Sequence, residues 1–342
     1  MNTKFEFSAG PWNINPGDDP FGPAVRNERE LIDKALILKK MGFNYIQLHD
    51  DDAVPMDVPC SQVTAEACKL KGILDDIVLQ VEFIAPRLWF DPRFADGAIT
   101  ANNADARQVG LDRAKRSVDI MLEVGCNRMV LWPAREGTYI RESKCALRSF
   151  DLFLEYLNAI LAYGPDVRIL GEMKPNEPMD LMYLPSTAHF ITMAERTSDP
   201  SRVGVLIEAA HSILLGLDPS DEMAFAIWNK KLWGVHLNDQ NGLKFDQDKS
   251  FGSVDIRRAF NVVDLLVRTD WGTHGEVVGL DVKAMRTQPF DRAIQHLSNS
   301  KEMFERLVGV AVRIDRQEWK SYVDNCDYEG LDMFILRNLV KE

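Results

Sequence analysis

The amino-acid sequence predicts a closed barrel of eight parallel strands, each followed by a helix, the (β/α)8 or TIM barrel, with a short helical tail at the C-terminal end. Three observations carry this reading. Short apolar runs alternate with longer stretches of helical periodicity along all 342 residues. Eight such runs occur, and no Ser/Gly-rich linker divides them, so one closed sheet explains them better than an open sheet with a second domain. Finally, a doubly wound sheet calls for a Gly-rich phosphate-binding turn after its first strand, whereas GPWNINPGDDPFG spreads its glycines through a Pro-rich loop.

In chain order the strand candidates are KFEFSAG near Phe5, NYIQLHD near Tyr45, LQVEFIA near Val81 and RMVLW near Val130. RILGEM near Leu170, VGVLIEA near Leu206, LWGVHLN near Val235 and EVVGLDV near Val278 complete the set. Between them lie amphipathic stretches such as ERELIDKALILKKMG, ARQVGLDRAKRSVDIMLEVG and LRSFDLFLEYLNAILAYG. Each is long enough to cross back over a parallel sheet, and several close on a glycine as helix ends do. The barrel is expected over residues 1–313 and a partly helical tail over 314–342.

Composition narrows the function classes. A hydrophobic fraction of 46% with 27% charged residues supplies a large core and argues against disorder. A net charge of -12 argues against nucleic-acid binding, which needs clustered Lys and Arg. Cys60, Cys68, Cys126, Cys145 and Cys326 form an odd set without a CxxC pair, so reduced thiols are expected rather than disulfides or a zinc knuckle. The start MNTKFEFSAGPW lacks a basic, long-apolar leader, and no apolar stretch is long enough for a bilayer, so the cytoplasm is the expected compartment and no membrane partner is expected.

A barrel builds its active site at the C-terminal ends of its strands. There the sequence places His49 with Asp50, Asp51 and Asp52, then Trp132, Glu172 with Lys174, Glu208 with His211, His236, and Asp281 with Lys283. One such residue could be a helix N-cap, as Asp often is. Glu172 and Lys174 are two apart on one strand, so both face the same side. Glu208 and His211 straddle a strand end, where carboxylate and imidazole can converge. Asp246 and Asp248 form a D-x-D pair suited to a hard cation.

So many carboxylates in one place repel unless a cation neutralises them. Taken singly, the Asp50 to Asp52 run reads as a solvated turn and Asp246 with Asp248 as loop acids. Acids at four or more strand ends together read as a metal site, and a mostly oxygen donor set with one or two imidazoles favours Mg, Mn or Co over a soft-ligand zinc site. His189 and His296 lie in helical stretches and are assigned structural roles.

From about Phe5 to Arg313 the sequence resembles the xylose isomerase family, in its shorter actinobacterial form. GPW at Gly10, DPFG at Asp19, HDDD at His49, TANN at Thr100, REG at Arg135, KPNEP at Lys174, DQD at Asp246 and D-x-K at Asp281 follow that family's order and approximate spacing. The resemblance implies two divalent cations. One is held by Glu172, Glu208 and Asp281 with His236. The other is held by Glu208, His211, Asp246 and Asp248, with Glu208 bridging. It further implies that His49, oriented by Asp52, handles the ring oxygen or anomeric hydroxyl, and that Lys174 binds the carbonyl oxygen. The substrate-facing set is expected to comprise Trp12, Phe21, Trp89, Trp132, Asn238 and Lys283, with Phe21 reaching into a neighbouring subunit of a homodimer or homotetramer.

The implied reaction interconverts an aldose and a ketose by a hydride shift between C1 and C2. Three departures bear on the sugar rather than the metal. His236 stands where xylose isomerases carry an Asp, as in rhamnose isomerases and ketose 3-epimerases. Trp89 replaces a Phe, and Pro133 with Ala134 replaces a Gly pair beside Trp132. The C-terminal arm is shorter, consistent with a smaller assembly. Two alternative enzymes stay open: a single-metal lyase that cleaves 3-oxo-glycosides by enolisation with a small partner subunit, and a ketose 3-epimerase. A non-enzymatic sugar-binding barrel would call for a broken metal shell.

Overall fold

The computed structural model of the protein describes residues 1–243 and 245–341. Its strands are β1 (Phe7–Ala9), β2 (Tyr45–His49), β3 (Gln80–Ala85), β4 (Arg128–Leu131), β5 (Arg168–Glu172), β6 (Val203–Glu208), β7 (Leu232–Leu237) and β8 (Val278–Leu280). All pair in parallel in sequence order, and β8 returns to β1 through Phe7 with Val278 and Ser8 with Gly279, which closes the barrel. Each strand lies within one of the eight apolar runs.

The runs read as apolar on both faces because both faces are covered. Outward residues such as Ile46, Leu48, Ile169, Val205, Ile207 and Val235 are buried under the helices. Inward, Phe83, Ala85, Val130, Leu170 and Leu206 form a separate cluster that fills the barrel. The same alternation brings Gln47, His49, Glu172, Glu208 and His236 inward toward the C-terminal mouth. Two registers slip: between β2 and β3 at Ile46/Gln47, and between β6 and β7 at Val205/Leu206.

Helices Leu31–Lys40, Ala104–Glu123 and Ala146–Tyr163 occupy the three amphipathic stretches. The first two are followed by Gly42 (φ 81°) and Gly125 (φ 80°), left-handed positions that a Cβ would strain. At Gly171 the need is space, since a Cβ there would lie 2.2 Å from the Phe190 ring. The tail consists of Arg316–Asp324 and Tyr328–Leu339, and the latter packs Phe334 and Ile335 into the main core. No helix among the described residues is long and apolar enough to cross a membrane.

The acidic run after β2 is not the solvated turn that its composition alone suggests. Asp50 is fully buried, accepting 2.8 Å bonds from Arg113 Nε and Nη2 and a 2.9 Å bond from the Arg87 backbone N–H. Asp51 and Asp52 pair with the Arg87 side chain. Removing one partner of a buried ion pair leaves an uncompensated charge. Arg113→Met should therefore lower unfolding free energy by about 3 to 5 kcal/mol, read as a shift in urea midpoint. A loss below about 1 kcal/mol would mean that Arg116, 3.6 Å from Asp50, takes over the pairing.

Candidate metal centre

β5, β6, β7 and the turn after β8 deliver Glu172, Glu208, His236 and Asp281 to one place, where a donor atom from each lies within 4.8 Å of the others. Glu208, His211 and Asp246 form a second such group, so Glu208 is common to both. His236 turns Nδ1 toward the first group, 3.2 Å from Glu172 Oε1, 3.9 Å from Glu208 Oε2 and 4.0 Å from Asp281 Oδ2. His211 turns Nε2 toward the second, 3.3 Å from Glu208 Oε1 and 3.1 Å from Asp246 Oδ2.

The charges in this cluster are not balanced by protein groups alone. Burial pushes the Glu208 carboxyl well above the usual carboxylate range, and Asp246, Asp281, Asp248 and Glu172 push it further. Burial also opposes charge on Glu172, but His236 and His211 hold it down at about 2. His236 is the counterpart: burial disfavours its cation, yet Glu172, Asp281 and Glu82 raise it to about 9. Thus His236 carries a proton at neutral pH to offset acids around it. Asp246 Oδ1 is buried with no hydrogen-bond partner, an acceptor facing no donor. Mixed carboxylate and imidazole donors with such an orphaned oxygen fit divalent cations.

Lys174, two residues past the end of β5, bonds Asp246 Oδ2 at 3.0 Å and Glu177 Oε2 at 3.1 Å. Burial disfavours its charge, but Asp246, Glu177 and Glu208 outweigh burial and hold its pKa above the ordinary lysine value. Glu177 also accepts the Asp246 backbone N–H at 2.9 Å from a left-handed backbone (φ 58°), so it fixes both partners. Glu177 lies within the KPNEP motif, where nothing in the sequence alone marks it for a role.

Across the cavity, Asp52 Oδ2 and Arg87 Nη2 each lie 2.9 Å from His49 Nδ1. Arg87 also donates to Asp52 Oδ1 at 3.0 Å; the tautomer with the proton on Nδ1 donates to the Asp52 carboxylate and presents Nε2 as an acceptor. Burial raises Asp52, but His49 and Arg87 together hold it below the usual range. Trp12 and Trp89 flank the His49 ring at 4.4 and 5.3 Å, and Trp132 meets Trp89 at 4.4 Å. Lys174 Nζ stands 5.4 Å above the Trp132 ring. These groups line one cavity of about 1820 Å³ that opens past Phe21, which is 86% exposed.

Three expected roles change. Asp248 does not join His211 and Asp246: its Oδ2 pairs with Lys283 and its Oδ1 accepts from Asn238 at 3.2 Å. Its φ of 45° turns it out of step with Asp246. Lys283 is in turn committed to Asp248, whose charge raises its pKa. Asn238 lies outside the cavity lining, giving Nδ2 to Glu208 Oε1 at 2.8 Å and accepting the Ala210 N–H at 2.8 Å, so its amide is committed to holding Glu208 in place. Trp12 lines the cavity but also donates Nε1 to Asp281 Oδ1 at 2.9 Å, sharing that oxygen with Asn13. His296, buried and held down at about 4 by burial, bonds the Asn13 backbone carbonyl through Nε2, in keeping with a structural role.

The family model for the xylose isomerase-like TIM barrel matches residues 36–267, about two thirds of the sequence. The chain belongs to this family. Among solved structures it is similar to a xylose isomerase domain protein from Alicyclobacillus acidocaldarius subsp. acidocaldarius, at 13% identity and a TM-score of 0.62 over 90% of this chain and 99% of that one. A 3-keto-D-glucoside 4-epimerase from E. coli matches at 14% identity and a TM-score of 0.63, over 89% and 100% of the two chains. The IOLI protein, solved with a bound zinc atom, matches at 13% identity and a TM-score of 0.60, over 89% and 98%. At these identities the likeness is one of fold.

Imidazolium does not ligate, so a cation entering the first group must displace the His236 proton. Below pH 9, the value near which His236 titrates without metal, each unit of acid should weaken Mn binding about tenfold for that one proton. Titration calorimetry in buffers of different ionisation enthalpy checks this. Binding that releases no proton at pH 7 would contradict it.

Proposed function

We propose that the chain is a metal-dependent isomerase that interconverts an aldose and a ketose by a hydride shift between C1 and C2 of the open-chain sugar. The observation that carries this reading is the second donor group, Glu208, His211 and Asp246, beside Lys174. Enolisation, by which a lyase or 3-epimerase works, needs a free base poised at a carbon. Here Glu208 is tied to Asn238, Glu172 to His236, and Asp281 to Trp12 and Asn13. The second group has no evident use in enolisation, but suits a reaction in which two neighbouring oxygens are gripped at once.

Glu172, Glu208, His236 and Asp281 would hold one cation and Glu208, His211 and Asp246 the other. Bound there, divalent cations supply Lewis acidity that polarises the carbonyl and steadies charge on the oxygens of C1 and C2. His49, with Nε2 free, accepts the anomeric proton and returns it to the ring oxygen as the ring opens. Lys174 donates to the carbonyl oxygen and is kept charged for that by Asp246 and Glu177. The C2 hydrogen then moves with its electron pair to C1, while O2 loses a proton and O1 gains one. Trp12, Trp89 and Trp132 exclude water, which protects the hydride from exchange. Phe21, exposed at the mouth, is suited to close the site of a second copy in a homodimer or homotetramer.

Lys174→Met should lower turnover by about 10² or more with the fold retained. Near-normal turnover would remove Lys174 from the mechanism. Incubation with Mn, Mg or Co and a panel of pentoses, hexoses and deoxyhexoses in deuterated water should give ketose with little solvent deuterium at C1 or C2. Deuterium next to the carbonyl, or release of an aglycone from a 3-oxo-glycoside, would instead make the protein an epimerase or lyase.

A further inference from the structure

Beneath the metal centre the barrel encloses a polar group that the proposed reaction does not use. Gln47 Nε2 donates to Ser8 Oγ at 2.9 Å and to Glu82 Oε2 at 3.0 Å, and Ser8 Oγ donates to the same Glu82 oxygen. Ser8, Gln47 and Glu82 are all at least 97% buried, at 0%, 0% and 3% exposure. Glu82 reaches this position because β3 carries one residue more than β2 there: Val81 pairs with Ile46 and Phe83 with Gln47, leaving Glu82 between them. A bulge of this kind re-aims a side chain, here into the barrel.

Two buried atoms in this region have no hydrogen-bond partner, Gln47 Oε1 and His236 Nε2. They do not bond each other in this structure, but they are complementary. With Nδ1 turned to the carboxylates of the first group, a ligating His236 carries its proton on Nε2 and is a donor, while Gln47 Oε1 can only accept. Both side chains crowd the same point. A Cβ on Gly279, which pairs with His236 across β7 and β8, would lie 2.5 Å from Gln47 Nε2 and 2.8 Å from His236 Cδ2. The missing side chain at Gly279 thus leaves room for the Gln47 amide and the His236 ring on either side of it.

We propose that, once a cation is held, Gln47 is the positioning residue of the metal ligand His236, accepting its Nε2–H through Oε1 while Glu82 and Ser8 hold the other end of the amide. This rests on the metal centre described above. The amide transmits the placement of β2 and β3 to a ligand on β7, fixing the ring orientation and the tautomer of His236 once its Nδ1 proton has been displaced. Outer partners of this kind typically change metal affinity about 10- to 100-fold when removed.

The test compares Gln47→Met, close in shape but without an acceptor, with the exchanged pair Gln47→Glu with Glu82→Gln, which keeps both an oxygen for Nε2–H and a donor between the two side chains. Each is titrated with Zn and with Mn in the full-length protein. The imidazole N–H resonance of His236 is followed in the diamagnetic Zn form and assigned by its loss in His236→Asn. Gln47→Met should bind the first cation about 10- to 100-fold more weakly and lose a slowly exchanging His236 Nε2–H signal, and the exchanged pair should restore both. Unchanged affinity and an unchanged N–H signal in Gln47→Met would overturn the proposal. So would equal losses in the two variants with lower thermal midpoints, which mark a packing role. A wild-type chain that takes up neither Zn nor Mn would overturn the metal centre itself, and this proposal with it.

Discussion

The repulsion among carboxylates around Glu208 is the constraint on which the rest of the site depends. Glu208 is buried at the end of β6 and belongs to both donor groups, so every acid that either group needs also raises the cost of ionising it. The neighbouring features answer that cost. His236 holds a proton beside Glu172, Asn238 donates to Glu208, and Lys174 stands between Asp246 and Glu177. Only a closed barrel brings such groups together from four adjacent strands on a scaffold stiff enough to hold them against their mutual repulsion.

Much of this was legible in the sequence because strand geometry has a strict period. All eight strands were marked by apolar runs, and once a run is a strand, Glu172 and Lys174 must face one way. Glu208 ends its strand and His236 is the last residue but one of its own, so the fold does the rest. The resemblance added the family, which the match over residues 36–267 bears out. Most of the donor set was therefore visible before any coordinates.

What was not legible depends on breaks in that period or on partners far away in the chain. Glu82 looks like a lone polar residue on an apolar strand, and only the bulge opposite Ile46 and Gln47 turns it inward to Ser8 and Gln47. Asp248 shares a D-x-D motif with Asp246, yet its left-handed backbone sends it to Lys283 and Asn238. Arg87 and Arg113, which bind the three acids after β2, carry no motif at all. Their role follows from the way β3 and the helix Ala104–Glu123 pack beside β2.

The same pairing rules bear on how many cations the site suits. The two donor groups contain four carboxylates, Glu172, Glu208, Asp246 and Asp281, and two imidazoles that are neutral when ligating. Lys174, shared by Asp246 and Glu177, and Lys283, paired with Asp248, offset two of the six acids present and leave four negative charges. In the reading proposed above, two divalent cations would match four negative charges. One would leave two charges over, in a setting where burial makes excess charge costly. A histidine rather than an acid at position 236 is what makes the count even, since a fifth carboxylate would leave the doubly loaded centre negative. That residue therefore contributes to the charge balance as well as to coordination, and its orientation, set from below by Gln47, becomes part of how the centre holds its metals.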